Sequence, residues 1–270
     1  MDIRTTIKLN NGIKIPILGL GMWQIPNGKV CEEAVLAGLS AGYRHIDTAA
    51  IYENEESVGN AIRKSNIARK EIFAATKLWN DDHNDVEKAF NESLSRLHLD
   101  YVDLYLMHFP VPERNKSWKI LERICKSGKA KAIGVSNFTI RHLKQLLEKA
   151  DIIPAVNQVE FHPYLYQKEL LDFCNKNKIK VEAYSPLTHG YKLKDPKLVE
   201  IGKKYNKSAA QVLIKWGLQH GLIAIPKSSK KERITENSSV FDFEISEEDM
   251  KKLDGFNENL RTCWDPTDAP

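Results

Sequence analysis

The 270-residue chain has only four cysteines, Cys31, Cys125, Cys174 and Cys263, widely separated and with no CxxC pair. That spacing excludes a disulfide scaffold and a zinc ribbon, and no histidine stands at ligand spacing from them. They read as buried or free thiols, and no metal site is expected. No apolar run approaches the roughly 18 residues that a membrane-spanning helix needs. The opening MDIRTTIKLN has no basic stretch followed by an apolar one, so it does not read as a secretory leader and a cytoplasmic protein is expected. Charge of one sign is also scarce: 40 Lys and Arg against 36 Asp and Glu leave +4, too little to indicate a nucleic-acid or membrane-surface partner. Any positive field must be local. There is no linker rich in Pro, Gly and Ser and no low-complexity stretch. With 42% hydrophobic and 28% charged residues, a substantial core and a single domain over residues 1–270 are expected. The expected partner is a small molecule, with the chain monomeric or weakly self-associating.

What is present is an alternation of short apolar runs with amphipathic stretches. The opening IKL-NNG-IKIPIL sets Asn11-Gly12 between two apolar alternations, which predicts a hairpin with positive φ at its turn. Strands are then predicted for LGLG ending at Gly21, RHID at Asp47, IFAATK at Lys77, VDLYLMH at His108, AKAIGVS at Ser136, AVNQVE at Glu160, KVEAYS at Ser185 and LIAIPK at Lys227. Helices are predicted over 30–41, 55–64, from 86, 115–127, 139–149 and 167–176, with two more in 196–221. After Asp85, Val86, Ala89, Phe90, Leu94 and Leu97 share one helical face. Glycine at position 42 suits a left-handed stop for the 30–41 helix, and Ser246 with Asp249 three residues on predicts a capped additional helix. Eight strand and helix pairs without a linker fit a (β/α)8 barrel with an N-terminal hairpin and extra C-terminal helices, a doubly wound sheet being the alternative. In a barrel, functional residues belong where strands end.

The predicted strand ends carry Asp47, Lys77, His108, Ser136, Glu160, Tyr184 and Lys227, with Tyr52 five residues past the acid. Singly, these are ordinary: an Asp and a Lys make structural ion pairs, and a His settles in cores. Together they suggest chemistry, because an ammonium beside a phenol favours phenolate and draws the pKa from about 10 towards neutrality. A tyrosine so tuned can donate a proton near pH 7. Two phosphate-loop imitations fail. Gly19-Leu-Gly21-Met-Trp-Gln24 has glutamine where a third glycine belongs, and Ser127-Gly128-Lys129-Ala130 lacks the upstream glycine and the final hydroxyl residue.

GYRHIDTAAIYENEESVG at 42–59 resembles the first signature of the aldo-keto reductase superfamily over its full length. ATKLW at 75–79, LMHFP at 106–110, GVSNF at 134–138 and IPKSSKKERITEN at 225–237 resemble further motifs of that family in the same order. The resemblance runs from the hairpin to the end of the chain. It implies carbonyl reduction with a tetrad of Asp47, Tyr52, Lys77 and His108: Tyr52 the proton donor, Lys77 held by Asp47, His108 orienting the carbonyl. It implies NADPH as cofactor, with Gly21, Met22, Trp23 and Asp47 near the nicotinamide. Ser136, Asn137 and Gln158 would hold the carboxamide, and Tyr184 would stack on the ring. Ser185 and Leu187 would cover the pyrophosphate, Lys227, Ser228 and Arg233 would grip the 2′-phosphate, and Asn237 would lie near the adenine. Without the resemblance, Ser136 and Asn137 read as a helix cap, Tyr184 as core, Ser185 to Leu187 as a turn, and KSSKKER as a solvated charge run.

Trp23, Trp79, Phe109, Trp118 and Trp264 are candidates for an apolar wall beside Tyr52 and His108, with some of them expected in the core instead. Phe109 stands where the family often has tryptophan, which implies a roomier wall. The short loop at 109–116 and the short tail from 257 resemble microbial members such as the diketogluconate and methylglyoxal reductase types, implying an open site and broad aldehyde tolerance. Two other functions are weaker readings of the same residues, nothing in the sequence favouring the first and Asp47 arguing against the second. One is a redox sensor that binds NADPH with negligible turnover; the other is a lyase using Lys77 as a Schiff base, which requires an unpaired, partly neutral lysine.

Overall fold

The computed structural model describes residues 1–270. Its first element is a hairpin of β1 (Thr6–Lys8) and β2 (Lys14–Pro16), paired antiparallel with Ile7 opposite Ile15. The turn is wider than the predicted Asn-Gly pair. The amide of Gly12 donates to Leu9 O and that of Leu9 to Ile13 O, and only Gly12 has positive φ, at +91°. This is a three-residue loop with a bulge at glycine, the usual alternative when one position takes the left-handed conformation.

Eight parallel strands follow: β3 (Leu20–Gly21), β4 (His45–Asp47), β5 (Phe73–Leu78), β6 (Val102–Met107), β7 (Ala130–Ser136), β8 (Val156–Glu160), β9 (Lys180–Tyr184) and β10 (Ile223–Ala224). Each pairs with its neighbours in chain order. Bridges from Leu18 to Ala224 and from Gly21 to Lys227 join last to first and close the barrel. The first and last strands are much shorter than their apolar runs. Pro226 has no N–H and offers only its carbonyl, to Gly21 N, and the chain then leaves the ladder.

The helices are α1 (Lys29–Ser40), α2 (Glu55–Lys64), α3 (Val86–Leu97), α4 (Arg114–Lys126), α5 (Ile140–Leu147), α6 (Lys168–Lys176), α7 (Pro196–Lys204), α8 (Ala209–Gln219), α9 (Lys231–Ser238) and α10 (Glu247–Asp254). Gly42, at φ +101°, ends α1 as expected. Asp85 caps α3 by accepting from Lys88 N, and the face of Val86, Phe90, Leu94 and Leu97 is buried. α9 was not predicted, since its sequence KERITENS buries only Ile234 and Asn237 and carries little periodic signal. At α10 the capping box is half-formed. Ser246 Oγ accepts from Asp249 N, but the Asp249 carboxylate turns to Lys204 and Tyr205, and Ser246 N donates to Tyr205 Oη instead.

The strand period of two sorts every barrel residue. Ile46, Ala74, Leu78, Tyr105, Met107, Ile133, Val135 and Val181 face the helices in the main core. Phe73, Ala75, Leu104, Leu106, Ala132, Val156 and Ile223 face inward with Leu9 and Ile15, so that the hairpin plugs the barrel's floor. Continuing those inward rows to the carboxyl ends brings Asp47, Lys77, His108, Ser136, Gln158 and Tyr184 to one mouth. The register agrees, with Gly21 beside Asp47, Lys77 beside Leu106, and Ser136 beside Gln158.

Candidate active site

At the mouth, Lys77 Nζ donates to Asp47 Oδ1 at 2.6 Å and to the carbonyl of Thr48 at 2.8 Å, with Tyr52 Oη at 3.5 Å. Asp47 Oδ2 accepts from Gln158 Nε2 at 2.9 Å, so both carboxylate oxygens are engaged. Lys77 and Asp47 are almost wholly buried. Tyr52 sits on a single 3-10 turn, Ala50–Tyr52, that leaves β4 and ends with Glu53 at φ +55°. Asn54 ties that turn down: its Nδ2 donates to Met22 O and Ile25 O, and its Oδ1 accepts from Thr48 Oγ1 at 2.6 Å. Behind it, Glu55 accepts from Thr76 Oγ1 and from Arg96 Nε, anchoring α2 to β5 and α3. Neither Asn54 nor Glu55 was singled out in the sequence, although two polar residues in succession at the start of a helix that buries them would have been the signal.

The electrostatics differ from expectation at Tyr52. Burial pushes its phenol up, and Lys77 is the neighbour that opposes the rise without cancelling it, so the group is not drawn towards neutrality. It is held as O–H. Burial alone would depress Lys77, but Asp47 and Tyr52 outweigh it and the ammonium lies above its ordinary value. A lysine so paired is no Schiff-base nucleophile. Burial, followed by the charge of Lys77, holds His108 well below 6.5 as a neutral imidazole. Its Nδ1 has no partner, while its ring stacks on Phe109 at 4.9 Å and meets the Tyr52 ring edge-on at 5.7 Å.

These groups open into a cavity of about 830 Å³. Its wall carries Ser136, Asn137, Gln158 and Tyr184 from the ends of β7, β8 and β9, and Lys227, Ser228, Lys230, Arg233, Glu236 and Asn237 from the segment after β10 and from α9. Tyr184 Oη donates to Asn137 Oδ1 at 2.8 Å, so Tyr184 belongs to the wall and not to the core. Ser136 and Asn137 are not a helix cap. Thr139 caps α5, with His142 completing the box. The charge run proves to be the last strand end plus the first turn of α9, which turns Arg233 and Asn237 to the cavity. Gly21, Trp23, Ser185 and Leu187 line the cavity as expected, and so do His189, Leu193, Lys194 and Cys263, which the sequence reading missed because they sit in the aperiodic 185–194 loop and the tail.

Three placements correct the sequence reading. The Met22 side chain is fully buried in the core, and its backbone N–H donates to Asp47 O, so it supplies the cavity with no side chain. Trp118 is buried and donates its indole N–H to Ile152 O, far from any wall. Trp79 is half-buried and packs edge-on against His108 and Phe109 at 5.4 and 5.9 Å. Glu160 is an anchor: it accepts from Thr262 N and Cys263 N, and so brings Trp264 against Phe109 at the mouth, 5.0 Å away.

A closed barrel whose mouth joins a buried Lys-Asp pair, a tyrosine and a neutral histidine to a cavity with a cationic stretch of wall defines an oxidoreductase of the (β/α)8 class. The chain belongs to the aldo/keto reductase family, whose model matches residues 17–258. It is 50% identical over 268 residues to a glyoxal reductase of Bacillus subtilis, covering 98% of this chain and 97% of the relative. It is 43% identical over 267 residues to methylglyoxal reductase DkgA of Escherichia coli K12, covering 97% of each. A Bombyx mori aldo-keto reductase solved in complex with NADP is 37% identical and superposes with a TM-score of 0.92 over 98% of this chain and 97% of that one. The protein is an oxidoreductase of that family.

Proposed function

We propose that this single-domain barrel reduces small aldehydes and ketones, α-dicarbonyls among them, with NADPH as the preferred reductant and Tyr52 as the proton donor. The observation that carries the reading is the line from Asp47 through Lys77 to Tyr52, set in a cavity part of whose wall is cationic. The donor set fits a phosphorylated dinucleotide. Ser136, Asn137 and Gln158 offer amide and hydroxyl groups to a carboxamide, and Tyr184 presents its ring. Ser185 and Leu187 flank the middle, Lys227, Ser228 and Arg233 suit a 2′-phosphate, and Asn237 lies where an adenine would end. Bound there, NADPH supplies a hydride to the carbonyl carbon.

The chain's own residues do the rest. Neutral His108 donates an N–H to the carbonyl oxygen and so fixes which carbon faces the nicotinamide. Tyr52 passes its proton to that oxygen as negative charge gathers there, and the ammonium of Lys77 stabilises the phenolate left behind. Asp47 keeps Lys77 charged and aimed. Trp23, Phe109 and Trp264 form an aromatic rim around the reacting end. The glyoxal and methylglyoxal reductases among the relatives support α-dicarbonyls as substrates.

The test is the fall in reduced-nicotinamide absorbance with glyoxal, methylglyoxal and aromatic aldehydes, using NADPH and NADH separately. The expected result is turnover that prefers NADPH and drops by about 10³-fold or more in Tyr52→Phe, which still quenches cofactor fluorescence normally. Undiminished turnover in Tyr52→Phe, or tight NADPH binding with no oxidation by any carbonyl, refutes the reading.

A further inference from the structure

Within the barrel the inward-facing rows are apolar below the mouth, apart from Lys180 at the half-exposed floor of β9 and two sealed residues. His45 lies one inward step below Asp47 on β4, and Glu182 one inward step below Tyr184 on β9. Both are completely buried, and His45 Nε2 lies 3.5 Å from Glu182 Oε1. Neither ring nitrogen and neither carboxyl oxygen makes a hydrogen bond of good geometry, although the Pro16 carbonyl lies near the imidazole and the Gln158 amide near the carboxyl. Space for the imidazole exists because position 19 is glycine: a Cβ there would meet His45 Nδ1 at 2.7 Å. Beside Glu182 in the ladder are Gln158, whose amide is already given to Asp47, and Ile223. Two polar side chains so poorly partnered in a sealed core are costly, and hydrocarbon would fill the same layer more stably. Their place directly beneath the Asp47–Lys77 pair gives them a use.

We propose that Glu182, packed against His45, is a positioning residue for the reaction: uncharged, it leaves Lys77 committed to Asp47 and Tyr52, and ionised, it competes for the same ammonium and weakens Tyr52 as a proton donor. Every charged or titratable group facing it fits that role. These are His45 and Asp47 from β4, Lys77 from β5, and on β9 itself Tyr184 one inward step above and the half-exposed Lys180 one step below; Gly19 and Gln158 add no charge. Burial, reinforced by Asp47, pushes Glu182 up to about 8, and burial pushes His45 down to about 4, so both are neutral at pH 7. A second anion beside Lys77 raises the phenol further, since an added charge in a buried cluster is worth on the order of one pK unit, or about tenfold in rate.

This inference rests on Tyr52 being the proton donor, and its test separates the two. Single-turnover reduction of methylglyoxal by the full chain with NADPH is followed from about pH 6 to about pH 10 in wild type, Glu182→Gln and Tyr52→Phe. Wild type is expected to slow about tenfold through a step near pH 8, and Glu182→Gln to lose that step. A Glu182→Gln profile that keeps the wild-type step overturns the inference. Infrared spectra of the wild type provide a readout independent of turnover and of any folding defect in the variant: a protonated-carboxyl band present at about pH 7 should vanish by about pH 9.5. Its absence at about pH 7 also overturns the inference. Turnover retained in Tyr52→Phe refutes the donor assignment and leaves the infrared result untouched.

Discussion

Replacing Lys77 by methionine isolates the buried pair on which the site is built. Lys77 Nζ is fully buried and satisfies Asp47 Oδ1, Thr48 O and, more loosely, Tyr52 Oη. Its loss leaves a carboxylate in the barrel with Gln158 as its single remaining donor. Stranding one member of such a pair costs about 3–5 kcal/mol. For a chain of this size that lowers Tm by on the order of 10 °C. Asp47→Asn strands the ammonium instead and should cost a similar amount. In the double variant neither charge is stranded, methionine fills the lysine's volume, and the amide at position 47 still accepts from Gln158. It should therefore lose only about 1–2 kcal/mol, giving a coupling energy of at least about 2 kcal/mol. Thermal unfolding by circular dichroism on the four proteins measures this. Turnover should behave differently: both Lys77 variants lose the charge that opposes the rise of the Tyr52 phenol and should be slower by about 10²–10⁴-fold, with no rescue in the double variant. Stability losses that add to within about 0.5 kcal/mol would refute the account, as would activity recovered together with stability.

Arg233→Ala removes a guanidinium from the cationic part of the cavity wall and should raise KM for NADPH by about 10–30-fold, the loss of one charge-assisted contact, while moving KM for NADH less than about twofold. Equal losses with both cofactors would remove Arg233 from 2′-phosphate recognition. Gly59→Ala places a methyl 1.9 Å from the carbonyl oxygen of Leu97, where α2 crosses the end of α3. Backbone must move, so a loss of about 2–4 kcal/mol is expected despite alanine's better helix propensity, and an unchanged or higher Tm would contradict this packing. The pH dependence of stability tests Glu182 by equilibrium. Its folded value, about 8, lies above the unfolded 4.5, so the folded state holds the extra proton and the stability this contributes is lost as pH rises towards 8. His45, depressed to about 4 from 6.5, acts oppositely, its contribution being lost as pH falls from 6.5 towards 4. Between about 6.5 and 8 Glu182 acts without that opposition, and unfolding free energy should decline by about 2 kcal/mol in wild type and stay flatter in Glu182→Gln.

The sequence by itself determined the barrel and which strand-end residues meet at its mouth. Residues that end strands in a (β/α)8 fold converge because strand period and closure send them there, so Asp47, Lys77 and His108 could be placed on one mouth from local pattern alone. The same reasoning brought Ser136 and Tyr184 to the mouth, whereas Gln158 followed only from the family resemblance, local pattern having put Glu160 at the end of that strand. It failed where position depends on contacts distant in the chain. Met22 and Trp118 have the chemistry of wall residues, yet packing turns both into the core. α9 escaped prediction because an eight-residue helix burying two side chains has little periodicity to detect. The charge state of Tyr52 was decided by burial, which spacing does not reveal and which outweighs a lysine 3.5 Å away. His45 and Glu182 lie 137 positions apart and become neighbours only when the barrel closes around the gap left by Gly19. Local pattern decides which face a side chain takes; only the closed barrel decides what it meets there and how much water remains.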